Sequence, residues 1–153
     1  MCFSCAGEEA NTANNSNITN INPANTNRIS AKDDIEELET IIKIPFHPEE
    51  ALWREENLGN QNAKKMTVVL KFLPEESAKI VAEAEPKKAV TQTILPVETW
   101  FPAELVASSQ LSGDDTLKGN VYSAEQFFQP PYSDGRLIRM ENSSYFILEL
   151  FSK

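Results

Sequence analysis

An asparagine-rich tract near the N-terminus most constrains what this chain can fold into. Eight of the seventeen residues from 11 to 27 are Asn, and only Ile18 and Ile21 offer large apolar side chains. Asn favours turns over helix or strand, and a segment with so little apolar area to bury cannot offset the entropy lost on ordering. We therefore predict a disordered, Asn-rich tail or tether over residues 1–31.

The charge also changes where this tract ends. Residues 1–32 carry two acidic and two basic side chains, whereas residues 33–153 carry 21 acids against 12 bases and hold the whole net charge of −9. A segment of that length can bury one core, so we predict a single domain over residues 32–153. Its acidity disfavours nucleic acids and anionic lipids and favours a basic protein partner. The simpler interpretation is that the charge only keeps the domain soluble.

Apolar periodicity predicts a small α+β domain. The side chains of residues 66–72 alternate between an apolar and a mixed face, as in a half-buried strand, and Pro74 with two acids opens an amphipathic helix that runs to about Glu85. We predict a mainly antiparallel sheet of four to six strands with one principal helix and short helical turns. Further strands are expected at 40–44, 90–95, 120–123, 136–141 and 145–151.

The segments between these strands are expected to be short turns and loops. Helical turns are predicted at 33–38, at 51–53, within 97–105 and at 124–128, and a polar loop at 108–119. Residues 145–151 carry apolar side chains on both faces, which predicts a central strand covered on both sides.

Both cysteines of the chain, Cys2 and Cys5, lie at its start. Their C-x-x-C spacing is found in redox and zinc sites, but the pair precedes the Asn-rich tract and His47 is the only histidine. We therefore predict no metal site and no redox site. Lipidation of Cys2, or of Cys5 in a trimmed precursor, would turn the tail into the tether of a bacterial lipoprotein; the alternative is that these are ordinary tail cysteines.

Localisation stays open between a tethered position at the cell envelope and the cytoplasm. The sequence has no apolar run of the length that crosses a bilayer, and no signal peptide as it stands. A membrane partner is therefore expected only through a lipid anchor.

No catalytic site or cofactor is predicted. Acidic pairs such as Glu36–Glu37 are adjacent in sequence, so their side chains diverge on a helix or a strand and indicate a solvated surface. The five glycines form no phosphate-binding loop, and no nucleophile motif is present. An enzyme that uses scattered carboxylates is the less favoured alternative to a non-catalytic protein.

A partner surface is the remaining candidate site. It combines aromatic side chains in Pro-rich segments with acids of the run from Asp33 to Glu56: Trp100, Phe101, Phe128, Tyr132, Glu49, Glu50, Glu55 and Glu56. The competing interpretation places the aromatic residues in the core beneath irregular loops. The first function hypothesis is a binding module on a flexible tether, and the second is an acidic inhibitor or immunity-type protein that masks a basic partner.

Overall fold

The computed structural model describes residues 31–59, 63–141 and 143–152. These residues form an α+β fold built on one six-stranded antiparallel sheet, which confirms the predicted fold class. The strands are β1 (Glu50–Asn57), β2 (Lys64–Lys71), β3 (Thr91–Pro96), β4 (Thr116–Ser123), β5 (Tyr132–Met140) and β6 (Tyr145–Ser152). The helices are α1 (Ile35–Ile41), α2 (Pro74–Ala84) and α3 (Ala103–Ser112), with 3-10 turns at Glu85–Lys87 and Glu125–Phe127. The predicted disordered tail at 1–31 lies almost wholly outside the described residues.

The strand order is β1-β2-β6-β5-β4-β3. The chain enters as the hairpin β1–β2, crosses one face of the sheet as α2, and returns from the far edge through β3, β4, β5 and β6. The last strand, β6, then pairs with β2 along seven residues, from Lys65 opposite Phe151 to Lys71 opposite Tyr145. This pairing makes β6 a central strand, as its apolar residues on both faces predicted.

Each face of the sheet has its own core. On one face α1 supplies Leu38, the residue at its C-cap supplies Ile42, and α2 supplies Ile80 and Ala84; these side chains pack with β6 side chains such as Leu148. On the other face α3 packs Leu105 against a smaller apolar cluster. We refer to these as the α1/α2 face and the α3 face. Burial of each apolar side chain contributes about 1.5–3 kcal/mol, so the larger α1/α2 core supplies most of the hydrophobic stabilisation.

Three predicted elements differ from those observed. Residues 40–44 were expected as a strand, but α1 covers their first two residues because Asp34 accepts a hydrogen bond from the Glu37 amide at 2.9 Å and so caps the helix. The spacing of Leu38 and Ile42, both fully buried, then favours helix over β-branched propensity.

Residues 51–53 were expected as a helical turn and instead belong to β1. Ala51 and Trp53 are buried on one face of the strand, and pairing with β2 extends from Glu50 to Asn57. Side chains two residues apart share one face of a strand, whereas on a helix they would lie on different sides. The spacing of the buried side chains therefore fits a strand.

The predicted polar loop at 108–119 is replaced by the end of α3 and the start of β4. Gly113 ends α3 in the left-handed conformation with φ 87°. The buried side of this helix includes Ser109, whose hydroxyl donates to the Val106 carbonyl at 2.7 Å. A serine in the buried stripe conceals the apolar periodicity that predicts a helix.

Candidate functional site

The candidate site is a groove at the end of the sheet where β1 and β6 begin and β2 ends. Glu50, Lys71 and Tyr145 lie side by side there, because the pairing register places Glu50 opposite Lys71 and Lys71 opposite Tyr145. The first turn of α3 brings Glu104 over the same row, within reach of the Tyr145 hydroxyl. Four parts of the chain that are far apart in sequence therefore meet at one end of the α3 face.

The groove has a volume of about 490 Å³ and an amphipathic lining. Its acidic side chains, all exposed, are Asp33, Glu49, Glu50 and Glu104. Its apolar lining is Ile35, Ala51, Leu52, Pro102 and Ala103. We call this set of residues, together with Tyr145, the acidic groove.

Tyr145 holds two of these carboxylates in place. Its hydroxyl lies 2.9 Å from Oε1 of Glu50 and 3.2 Å from Oε1 of Glu104. Burial raises the pKa of Tyr145 well above its usual value, and the bonded carboxylate of Glu50 raises it further. The hydroxyl therefore stays protonated at neutral pH, and its one proton serves two acceptors.

Little positive charge offsets the groove. Lys71 Nζ lies 3.5 Å from Glu104 Oε1 and 5.6 Å from the centre of the Tyr145 ring. Within the described part of the chain, no basic group forms an ion pair with Asp33, Glu49 or Glu50. Among the described residues, these three carboxylates therefore have no cationic partner, although Glu50 accepts a hydrogen bond from Tyr145.

Two other grooves have a different character. One, of about 470 Å³, is lined by residues such as Gln92, Ile94 and Lys118, and another, of about 420 Å³, by residues such as Leu105 and Leu111. Each contains one lysine, Lys118, and one carboxylate, Glu141. Of these three grooves, only the acidic groove gathers several acids around apolar side chains.

The predicted partner surface is not one surface. Glu49 and Glu50 lie in the acidic groove, but Glu55 and Glu56 are at the opposite end of β1 on different faces of the sheet. Glu55 accepts a short hydrogen bond from Tyr132 and pairs with Lys64, while Glu56 lies 3.6 Å from Arg54. These two acids already have partners within the domain.

The aromatic candidates belong mostly to the two cores. Phe101 is 5% exposed and Tyr132 is 1% exposed, so neither offers contact area to a partner, and Phe128 packs at the border of the larger core. Trp100 is half-buried and stacks edge-on against Phe101 with ring centres 4.8 Å apart. This placement favours the interpretation of these residues as core, and we correct the proposed surface by leaving Phe101 and Tyr132 out.

Trp100 is fixed from both sides. Its indole N–H donates to Glu98 at 2.7 Å, and the Arg54 guanidinium lies 5.9 Å from its ring centre. Arg54 also lies 3.6 Å from Glu98, so β1 holds the segment that leads from β3 into α3. These contacts set where α3 begins, and so where Glu104 enters the acidic groove.

Glu104 and Tyr145 are not among the partner-surface residues predicted from the sequence. Glu104 is an isolated acid in the sequence, and Tyr145 is one of several aromatic residues and part of a predicted strand. The pairing of β2 with β6 brings Tyr145 within hydrogen-bond reach of Glu50 on β1, and that pairing joins the first hairpin to the last strand. Cys2 and Cys5, the lipidation candidates, lie outside the described residues.

In the ranges that the structure describes, no three His, Cys, Asp or Glu side chains are arranged to hold a metal ion. No helix in those ranges is long and apolar enough to cross a membrane. Comparisons with protein-family models, with curated proteins and with solved structures found no match.

Proposed function

We propose that this protein is a non-catalytic binding module whose acidic groove masks a basic segment of a protein partner, in the manner of an acidic inhibitor or immunity-type protein. The observation that carries the proposal is the combination of exposed carboxylates and apolar lining in one groove. A lysine or arginine side chain has the matching chemistry, because its aliphatic stem packs on apolar surface while its charged end needs an acceptor.

The rest of the domain supports the same class of partner. Residues 33–153 hold the whole net charge of −9, so a basic protein is attracted before contact and an acidic one is repelled. Electrostatic attraction of this kind raises the association rate and weakens as salt screens it. The acidic groove then supplies the specific contacts that an evenly charged surface lacks.

Calorimetric titration of the full chain with octalysine tests the proposal. We compare the wild type with the double variant Glu49→Gln/Glu50→Gln, in which the amide oxygen introduced at position 50 can still accept from Tyr145. The control is Glu83→Gln/Glu85→Gln, which removes the same charge from exposed positions in and after α2. Loss of two carboxylates that contact a cation at about 0.7 kcal/mol each predicts about tenfold weaker binding.

The control variant is expected to bind within about twofold of the wild type, because its acids act only through screened long-range attraction. Equal weakening in both variants would show that octalysine responds to total charge, and the groove would then have no special role. Tight binding that is indifferent to salt would contradict an electrostatic partner.

We also propose that the N-terminal segment tethers the module through a lipidated Cys2 or Cys5. The support is in the sequence: both cysteines precede a neutral, Asn-rich spacer, and residues 32–153 have no cysteine. A cell-envelope location follows from this arrangement, and the cytoplasm remains the alternative. Mass spectrometry of protein from its native cells tests it: an acyl mass on the N-terminal peptide is expected, and unmodified cysteines in that peptide would refute the tether.

A further inference from the structure

The two edge strands of the sheet differ in how they discourage pairing with another chain. β1 carries four charged side chains, and its outer edge is engaged by Lys32, which exchanges two backbone hydrogen bonds with Trp53 at 2.7 and 2.9 Å. Charged side chains and a covering segment are the usual protection of an exposed edge. β1 is therefore a protected edge.

Within the residues that the structure describes, β3, at the other edge, has neither protection. No charged residue occurs from Ala89 to Val97 in a chain whose net charge is −9. Ile94 is 62% exposed, and Val90, just before the strand, is 42% exposed. An uncharged edge with exposed apolar side chains is the kind of edge to which another strand adds.

The backbone of β3 shows which groups are available for such a strand. Val97 donates to the Asp115 carbonyl at 3.1 Å, and these two residues are directly opposed in the register that pairs Thr91 with Val121. In an antiparallel ladder, the bonded residues alternate, so Thr91, Thr93 and Leu95 bond to β4. The N–H and C=O groups of Gln92 and Ile94 therefore point away from the sheet, and Pro96 has no N–H to extend the row.

We propose that two copies of this chain pair through their β3 strands, antiparallel, about a twofold axis that passes beside Thr93. In this arrangement Gln92 of each copy is opposite Ile94 of the other, and the four outward N–H groups meet four outward C=O groups. The two six-stranded sheets become one continuous sheet of twelve strands.

A second copy fits this edge better than an unrelated chain for two reasons. Two copies of net charge −9 repel each other over most of their surface, and the uncharged edge is where their approach costs least. The edge is also self-complementary: in the proposed register, the outward N–H and C=O groups of one β3 strand meet the outward groups of a second copy, and no strand from another protein is needed to satisfy them. A basic partner of the kind that suits the acidic groove would gain no charge contact along β3.

The side chains agree with this register. Thr93 lies on the α3 face, since it is paired with Gly119 between the buried pairs of Leu95 and Val121, and it would face Thr93 of the second copy. Cross-strand Thr–Thr pairs are favourable. On the other face, each exposed Ile94 side chain would lie diagonal to its counterpart and lose solvent exposure.

The molar mass of the full chain in solution gives the first test. Sedimentation equilibrium at about 0.3 M salt, which screens the repulsion between copies, is expected to show a reversible rise from 17.1 kDa to twice that mass. Ile94→Lys adds an edge lysine and is expected to raise the dissociation constant at least about tenfold. Leu73→Lys, at an exposed site between β2 and α2 with the same charge change, is expected to leave it unchanged.

Disulfide trapping tests the register. In a background of Cys2→Ser/Cys5→Ser, Thr93→Cys would place two thiols across the twofold axis at a non-hydrogen-bonded pair, about 4.5 Å apart at Cα, which suits a disulfide. Thr91→Cys is the matched control, because Thr91 would face Leu95 of the second copy. A monomer at every concentration, a dimer that is unaffected by Ile94→Lys, or equal cross-linking at both positions would each overturn the proposal.

Discussion

Tyr132 and Tyr145 both donate their hydroxyl to a carboxylate, yet the two bonds have different consequences. Tyr132 joins Glu55 at the far end of β1 and belongs to the larger core. Tyr145 joins Glu50 in the acidic groove, where the carboxylates are exposed. The first bond therefore contributes mainly to stability, and the second mainly to the shape of the groove.

Replacement of Tyr132 by Phe is expected to lower the free energy of unfolding by about 1–2 kcal/mol. The change removes a hydrogen bond to a charged acceptor and leaves the partly buried Glu55 carboxylate without its tyrosine donor. Tyr145→Phe is expected to cost less, because water can reach the exposed carboxylates that it bonds. Urea denaturation measures both, and a larger loss in Tyr145→Phe would contradict this assignment.

The two tyrosines also predict a loss of stability in alkali. Burial, and then the adjacent carboxylates, raise the pKa of both hydroxyls above the value near 10 that they have when unfolded. Above pH 10 the unfolded chain releases these protons while the folded chain keeps them. The stabilisation that the folded state gives the protonated hydroxyls is complete below pH 10 and is lost as the pH rises through the raised pKa.

Urea denaturation between pH 8 and pH 11 measures the free energy of unfolding of the wild type and of the double variant Tyr132→Phe/Tyr145→Phe. Each tyrosine is expected to add up to about 1.4 kcal/mol per pH unit to the decline above pH 10. The double variant should therefore show a shallower decline. Parallel curves for the two proteins would show that neither hydroxyl is responsible.

Among the elements, the β5–β6 hairpin has the least tolerance for an added side chain. Gly135 in β5 has φ 153°, and a Cβ there would lie 2.2 Å from the Glu149 carbonyl oxygen on β6. Gly135→Ala is therefore expected to destabilise the domain by more than about 2 kcal/mol.

Gly113, at the end of α3, is the matched control for that substitution. Its φ of 87° also disfavours alanine, but a Cβ there would have no atom within 4 Å. Gly113→Ala is expected to cost about 1 kcal/mol, from backbone strain alone. Thermal or urea denaturation that ranked Gly113→Ala as the more damaging change would show that the close contact with β6 is absent.

Elements with a pure apolar period could be predicted from the sequence, and those with polar buried residues could not. The alternation in β2 and the stripe of α2 predicted both elements within two residues of their observed ends. α3 was predicted only as short turns that end at residue 105, because Ser109 lies in its buried side, and α1 only as a short turn over 33–38, because its β-branched residues conceal how far the capped helix extends. Helix caps and buried hydroxyls stabilise a helix by bonding to its backbone, and such bonds leave no trace in the spacing of apolar residues along the sequence.

The same limit applies to the candidate site. Glu49 and Glu50 were predicted as partner residues from local charge, and they lie in the acidic groove. Glu104 and Tyr145 reach it only through the pairing of β2 with β6 and the crossing of α3. Those are long-range relations between separate elements, and no pattern within a single segment records them.

Over the whole molecule, charge is distributed so that two surfaces differ sharply. The acidic groove gathers four carboxylates at one end of the sheet. The uncharged strand β3 forms one edge of the sheet. We propose that the first binds a basic partner and the second a further copy of the chain. In a dimer paired through β3, β1 and its acidic start would remain at the two outer edges of the continuous sheet. The groove and the dimer surface would therefore not compete.

Amide chemical-shift mapping of the ¹⁵N-labelled full chain during titration with octalysine tests the central claim most directly, because it reports where the ligand lies. We expect the largest shifts at residues that line the acidic groove, such as Ile35, Leu52 and Ala103, and small shifts at the acids of α2, Glu75 and Glu83. Shifts of equal size at α2 and at the groove would contradict a specific site for basic groups.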